Sequence, residues 1–252
     1  MASRRGQMLD GVLLLDKPEG LSSNHALQRA KRALDARKAG HTGTLDPFAT
    51  GLLVCCLGKA TKISGQMLDA DKGYVATIRF GEETDSGDLT GNLVSSAPEG
   101  FDGVDRAELE RALLNFKGEI QQVPPMYSAL KRDGKPLYEY ARQGLELDRP
   151  PRTVTIHHIE LLSCDRFEAV IAVQCSKGTY IRTLAQDIGR QLGCGAHLKA
   201  LRRTRVGPFG LDAAVGLEAL QAMPDPKAAL IALDALPAGL NPATSTQKDL
   251  KL

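Results

Sequence analysis

The sequence predicts an α+β fold, and three observations carry that expectation. Over residues 74–80, Tyr74, Ala76, Ile78 and Phe80 alternate with Val75, Thr77 and Arg79, the period of a half-buried strand. Ala26, Leu27, Ala30 and Leu34, and later Ile181, Leu184, Ile188 and Leu192, recur at helical spacing. Strand-like and helix-like segments then follow one another without the regular alternation of a doubly wound sheet.

Taken in order, residues 1–10 are polar and expected to be loose. Residues 11–16 read as a short buried strand, Val12 to Leu15 at its centre, stopped by the turn sequence Lys17-Pro18-Glu19-Gly20. Ser22, Ser23 or Asn24 offers a cap for the helix that follows. Residues 40–46 read as a loop. Pro47 then opens a second helix, with Asp46 as its N-cap and Leu52, Leu53 and Val54 along it. Beyond the strand at 74–80 lies an acidic, turn-rich stretch over 81–100. A helix over 106–116 follows, with Leu109, Leu113 and Leu114 as its apolar stripe. Residues 117–152 hold Pro124-Pro125, Pro150-Pro151, basic residues, Tyr127, Tyr138 and Tyr140, and read as a long excursion from the core. Paired strands are expected at 153–162 and 167–176, a helix at 180–192, and a strand at 201–206 that ends at Gly207-Pro208.

The 252 residues are 42% hydrophobic and 25% charged, which excludes a disordered chain. With no Trp and few aromatics, the core must be built from Leu, Ile, Val and Ala. A net charge of +2 does not announce a nucleic-acid binder, but the charges are segregated. Arg29, Lys31, Arg32, Arg37 and Lys38 cluster, as do Lys131, Arg132 and Lys135, and Arg202, Arg203 and Arg205, while Glu82, Glu83, Asp85 and Asp88 concentrate acid elsewhere. Such clusters read either as solvated helix faces or as basic patches for a polyanion. Cys55, Cys56, Cys164, Cys175 and Cys194 are odd in number and form no Cys-x-x-Cys pair, which argues against a disulfide framework or a zinc site. The N-terminus lacks an apolar signal core and no apolar run is long enough to span a bilayer, so a reducing cytoplasm is the expected location.

Two segments carry candidate chemistry. In Gly40-His41-Thr42-Gly43-Thr44-Leu45-Asp46-Pro47-Phe48-Ala49-Thr50-Gly51, glycines bracket His41-Thr42 and close the segment, permitting tight turns or close approach to a ligand. Pro47 drives Asp46 toward extended conformations and displays its carboxylate at the end of the loop. Spacing alone favours a helix cap for Asp46 over a reactive carboxylate. In Ser176-Lys177-Gly178-Thr179-Tyr180-Ile181-Arg182, the arginine stands at a strand-to-helix junction. It is either a surface residue or the partner of a loop carboxylate, and spacing does not decide between them.

Together with Gly11-Val-Leu-Leu-Leu-Asp-Lys-Pro-Glu-Gly20, these segments closely resemble the TruB family, the bacterial tRNA pseudouridine-55 synthases. The resemblance runs from about residue 10 to about residue 210. It takes in Lys72-Gly73-Tyr74, Pro125-Met126-Tyr127-Ser128-Ala129-Leu130-Lys131, Leu137-Tyr-Glu-Tyr-Ala-Arg-Gln-Gly144, Gly193-Cys-Gly-Ala-His-Leu198 and Leu201-Arg202-Arg203, all in family order.

The resemblance implies the pseudouridine-synthase fold, a mixed and mainly antiparallel central sheet flanked by helices, with an RNA-binding insertion at about 117–152. Residues 1–212 then form the catalytic domain. Residues 213–252 form a shortened C-terminal region, too short for the RNA-binding PUA-like domain that usually ends the family. It implies conversion of a T-loop uridine to pseudouridine with no cofactor and no metal, in keeping with the absence of ligand spacing among His25, His41, His157, His158 and His197. Asp46 matches the essential aspartate, which either attacks C1′ or abstracts a sugar proton. Arg182 matches the arginine that pairs with it and favours its charged form. Tyr74 matches the tyrosine that stacks on the target base, Tyr180 and Leu201 line the uracil pocket, and His41 helps hold the rearranged RNA loop. Lys17, in the first matching segment, is grouped with these for substrate binding. Lys131, Arg132, Lys135, Arg142, Arg202 and Arg203 are the expected RNA contacts. The implied partner is the T-arm of tRNA, bound by a monomer without membrane association or an obligate protein partner. The alternatives are a synthase acting on another RNA and an RNA-binding or tRNA-folding module.

Overall fold

An apolar run of consecutive residues makes sense as a strand only if both of its faces are covered. The computed structural model, which describes residues 6–240, shows two such strands. In chain order its elements are β1 Gly11–Lys17, α1 Ser23–Ala33, β2 Ala39–His41, β3 Thr50–Leu57, α2 Ser64–Asp69, β4 Lys72–Phe80, β5 Glu82–Thr84 and β6 Leu93–Ser96. There follow α3 Arg106–Leu114, β7 Gly118–Gln122, β8 Lys131–Arg132, β9 Lys135–Pro136, α4 Leu137–Ala141, β10 Arg152–Cys164 and β11 Glu168–Cys175. The remainder are α5 Ile181–Gln191, β12 Ala196–Val206, β13 Phe209–Gly210, β14 Val215–Gly216, α6 Leu217–Ala222 and β15 Leu230–Ile231. The polar residues 1–5 and the polar tail from 241 lie outside the described residues. Residues 6–10 are not loose: the Gln7 amide donates to Asp35 at 2.6 Å and its carbonyl accepts from Arg37 at 2.8 Å.

Two compact units divide the chain, Met1–Gly73 with Arg202–Leu252, and Tyr74–Leu201. In the first, β1 pairs antiparallel with β3 over its whole length, from Gly11 opposite Leu57 to Lys17 opposite Gly51. Successive side chains of a strand point to opposite faces. Leu13, Leu15, Leu53, Cys55 and Leu57 therefore meet Ala26, Leu27 and Ala30 of α1, while Val12, Leu14, Leu52, Val54 and Cys56 meet Ile63, Met67, Val206 and Phe209 on the other side. This double burial explains the helix expected after Pro47, which does not form. A short all-apolar run is ambiguous between a buried strand and a buried helix, and here residues 50–57 are strand. Asp46 is accordingly not a helix cap. It opens a turn in which the Ala49 amide donates to the Asp46 carbonyl at 3.1 Å, with Asp and Pro at the positions such turns favour.

Residues 215–231 add to this same unit. Val215 pairs parallel with Leu15, Ile231 pairs antiparallel with Val12, and Leu217 and Leu220 enter the core beside α1.

In the second unit the strand order is β4–β11–β10–β7, and β10 is antiparallel to both of its neighbours. Along β4 the alternation expected from the sequence holds: Tyr74, Ala76, Ile78 and Phe80 are buried. Helix α3 packs on β10 and α5, burying Leu109, Ala112 and Leu113, whereas Leu114 is 69% exposed and leaves the stripe. The acidic stretch after residue 80 contains the β5–β6 hairpin. The excursion begins later than expected, since residues 118–122 are the edge strand β7. With Leu220 fully buried against α1, Leu220→Ala is expected to cost about 2–5 kcal/mol of stability. Urea unfolding checks this, and a loss near zero would mean that the segment beyond 212 is not part of the core.

Candidate active-site elements

Irregular backbone inside a fold leaves carbonyls without partners unless side chains supply donors. The loop between β2 and β3, in the first unit, is treated this way at almost every residue. The Thr42 amide donates to Val54 at 3.0 Å. Ser23, 1% exposed at the start of α1, donates its hydroxyl to the Leu45 carbonyl at 3.0 Å and accepts from the Leu45 amide at 2.7 Å. The Pro47 carbonyl accepts from the Gly20 amide at 2.8 Å and from Lys17 Nζ at 3.4 Å. Both chain neighbours of Asp46 are thus pinned, and Asp46 itself is half-buried between them.

Lys17 is fully buried and donates further to the carbonyls of Pro18 at 2.8 Å and Leu21 at 2.7 Å. Its ammonium is therefore committed to the protein, and it braces the Asp46 loop rather than touching substrate as expected. Burial lowers its pKa to about 8 against the opposing pull of the Asp46 charge. Arg203 requires the same correction. Expected as an RNA contact, it is 1% exposed, and its guanidinium donates to Leu52 at 2.8 Å, Gly43 at 3.1 Å and Thr44 at 3.5 Å. Gly51 explains how it gets there. At φ 100°, any Cβ on residue 51 would run into the Arg203 backbone, which pairs in parallel with β3 at that point. The glycine serves strand approach, not a ligand. Arg202 faces outward, bonded to Asp16 at 2.6 Å and Thr50 at 3.2 Å. His41 lies on β2, and burial together with the Arg203 charge holds its pKa below the ordinary range.

The second unit holds the aromatic and arginine candidates. Tyr74 and Leu201 are buried at 9% and 8% exposure. Arg182, in the first turn of α5, is 4% exposed. It donates to the Ser86 carbonyl at 2.7 Å and the Tyr127 carbonyl at 2.6 Å, and lies 3.7 Å from the Asp88 carboxylate. Asp88 is a residue that sequence reasoning passed over as one of an acidic group. Its Oδ1 accepts from Ser86 Oγ at 2.9 Å and from Thr90 N and Oγ1 at 2.9 and 2.6 Å, so the carboxylate beside Arg182 is rigidly held. Tyr180 precedes α5, and its backbone is bonded to Gln122, another residue the sequence did not single out.

Lys131, Arg132, Lys135 and Arg142 are exposed on the excursion, as RNA contacts require. Lys135 lies over the Tyr140 ring at 5.4 Å and Arg142 over the Tyr138 ring at 5.2 Å. Among the described residues no group of three His, Cys, Asp or Glu side chains is placed to hold a metal, and no helix is long and apolar enough to cross a membrane.

Comparison with known proteins places this mixed, mainly antiparallel fold among the pseudouridylate synthases. The profile described as TruB family pseudouridylate synthase (N terminal domain) matches residues 31–181, and that of the tRNA pseudouridylate synthase B C-terminal domain matches 182–242. The chain belongs to the TruB family. It is 76% identical over 244 residues to tRNA pseudouridine synthase B of Bordetella pertussis, covering 97% of this chain and 100% of that protein. Its identity to the Aromatoleum aromaticum protein of the same name is 62% over 218 residues, 86% of this chain and 70% of that one. Among solved structures, a chain of a Cbf5-Nop10-Gar1 complex aligns with TM-score 0.67 at 33% identity. A chain of an H/ACA RNP bound to a substrate RNA containing 2′-deoxyuridine aligns with TM-score 0.66 at 29% identity. The alignments cover 85% and 94% of this chain but span only 54% and 59% of those two.

Two outcomes follow from the braces. Arg203→Ala removes three buried donors together with packing and should cost roughly 2–5 kcal/mol. The exposed neighbour Arg202→Ala should cost about 1 kcal/mol or less. Equal losses in urea melts would contradict the burial contrast. For Lys17, the folded-state pKa of about 8 lies below the ordinary lysine value of about 10.4. Between those values the unfolded chain binds the proton that the folded chain has shed, so stability rises with pH. The stability of the wild type relative to Lys17→Met should therefore increase from pH 7.5 to pH 10. A flat difference would show that burial does not depress this lysine.

Proposed function

We propose that the protein isomerises uridine 55 in the T-loop of tRNA to pseudouridine, with Asp46 as the catalytic carboxylate. The observation that carries the reading is the bracing of the Asp46 loop. Ser23, Lys17 and Arg203 spend buried donors on Gly43, Thr44, Leu45 and Pro47, around a carboxylate left half-buried. Such investment in fixing one loop fits a group whose position must be exact to within a fraction of an ångström. Support for tRNA as substrate comes from the relatives named tRNA pseudouridine synthase B.

In the reaction the N1–C1′ bond breaks, uracil turns over, and C5 bonds to C1′. C5 then loses its proton and N1 gains one, so the product is an isomer of the substrate. Asp46 acts at the sugar in its ionised form, and Arg182 is the guanidinium that favours that form. Tyr74 supplies a stacking surface for the extruded base, with Tyr180 and Leu201 lining its pocket and His41 holding the vacated loop. Extrusion costs a few kcal/mol of stacking, offset by aromatic contacts in the pocket. The exposed cations Lys131, Arg132, Lys135 and Arg142, together with Arg202, meet the phosphates of an RNA recognised by shape.

Tritium release from 5-tritiated uridine in a T-arm transcript tests this. Wild type should release tritium, Asp46→Ala should release none above background, and Arg182→Ala should fall sharply. Lys135→Ala should weaken binding and flatten its salt dependence by roughly one counterion. Full release by Asp46→Ala would sink the assignment.

A further inference from the structure

Resting on the reading of Tyr180 as a pocket residue, we propose that Gln122 and Arg152 are positioning residues that together set the placement of its ring. The two stand directly opposite each other in the β7–β10 pair, Gln122 ending one strand and Arg152 beginning the other. Side chains opposite one another in such a pair rise on the same face, and both of these reach Tyr180. Gln122 is fully buried. Its Oε1 accepts from the Tyr180 amide at 3.0 Å and its Nε2 donates to the Tyr180 carbonyl at 3.2 Å. A side-chain amide bonded to both the N–H and the C=O of one residue acts as an added strand partner, fixing that residue where no sheet neighbour does. Arg152 grips the other end. Its guanidinium lies 4.9 Å from the centre of the Tyr180 ring and donates to the Gly178 carbonyl. One face of the ring is thereby covered by a cation, an electrostatically favourable arrangement.

The placement in the chain gives the device its point. Gln122 is the last residue before the excursion at 123–151 and Arg152 the first after it. The pair that closes the root of the excursion is the same pair that holds Tyr180. Since Arg182 also bonds the Tyr127 carbonyl, the start of α5 is tied both to the strand pair at the root of the excursion and to the excursion itself.

The test uses Gln122→Glu, which keeps the acceptor but loses the amide donor, and Arg152→Lys, which keeps the charge but loses the planar group. With only five tyrosines in the chain, labelled tyrosine ring resonances are resolvable by NMR, and Tyr180 is assigned from Tyr180→Phe. Both variants should shift the Tyr180 resonance. They should lower the single-turnover rate roughly ten- to a hundredfold, the order expected of a misplaced contact, with tRNA affinity within about twofold of wild type. In a Tyr180→Ala background neither should lower the rate further, because residues acting through one group are not additive. Unchanged Tyr180 resonances, or full multiplicative losses in the Tyr180→Ala background, would overturn the proposal. A shifted resonance with an unchanged rate, while Asp46→Ala stays inactive, would instead remove Tyr180 from the pocket and leave Asp46 standing.

Discussion

A buried cation is costly unless each of its donors meets an acceptor, and this chain repeatedly meets that demand with main-chain carbonyls. Lys17 bonds Pro18, Leu21 and Pro47; Arg203 bonds Leu52, Gly43 and Thr44; Arg182 bonds Ser86 and Tyr127; Lys72 bonds Leu68 and Ala70. Most of these acceptors lie in turns or loops; Leu52, in β3, and Leu68, in the last turn of α2, are the exceptions. The cation and the loop satisfy each other, and hydrogen bonds to a charged donor are stronger than neutral ones. The result is irregular backbone with the fixity of a strand, which is what a displayed carboxylate or pocket side chain needs.

The sheet makes these braces possible. Because β1 and β3 are covered on both faces, their ends are rigid platforms. Lys17 ends β1 opposite Gly51 at the start of β3, and Arg203 pairs with that same glycine from β12. Three strand positions therefore converge beside the loop that carries Asp46. In the other unit the first turn of α5 plays the corresponding part, with Arg182 anchored on Ser86 and Tyr127 beside a clamped Asp88.

Much of this was legible in the residues. Strands β1, β4, β10 and β11 and helices α1, α3 and α5 lie where periodicity places them, because each has one dominant burial pattern. Residues 50–57 misled because two-sided burial erases the alternation that distinguishes a strand. The β5–β6 hairpin was hidden by its composition, with Leu93 and Val94 exposed and acidic side chains around them. Lys17 and Arg203 were misassigned to ligands for a more general reason. A charged residue type predicts exposure, and its carbonyl acceptors carry no signature in the sequence. Gln122 was invisible for the same cause, since a glutamine that pairs with a backbone looks like any other glutamine.

The braces also divide mutational risk unevenly. The acceptor half of each is a peptide carbonyl, present whatever side chain stands at Leu21, Gly43, Thr44 or Pro47. Drift at those positions leaves the acceptor in place so long as the backbone path is kept. The donor half has no such tolerance, because only one side chain of the right length and charge fills it. Robustness is thus concentrated in the loops that vary most easily, and fragility in a few cations that sequence composition would have marked as dispensable surface.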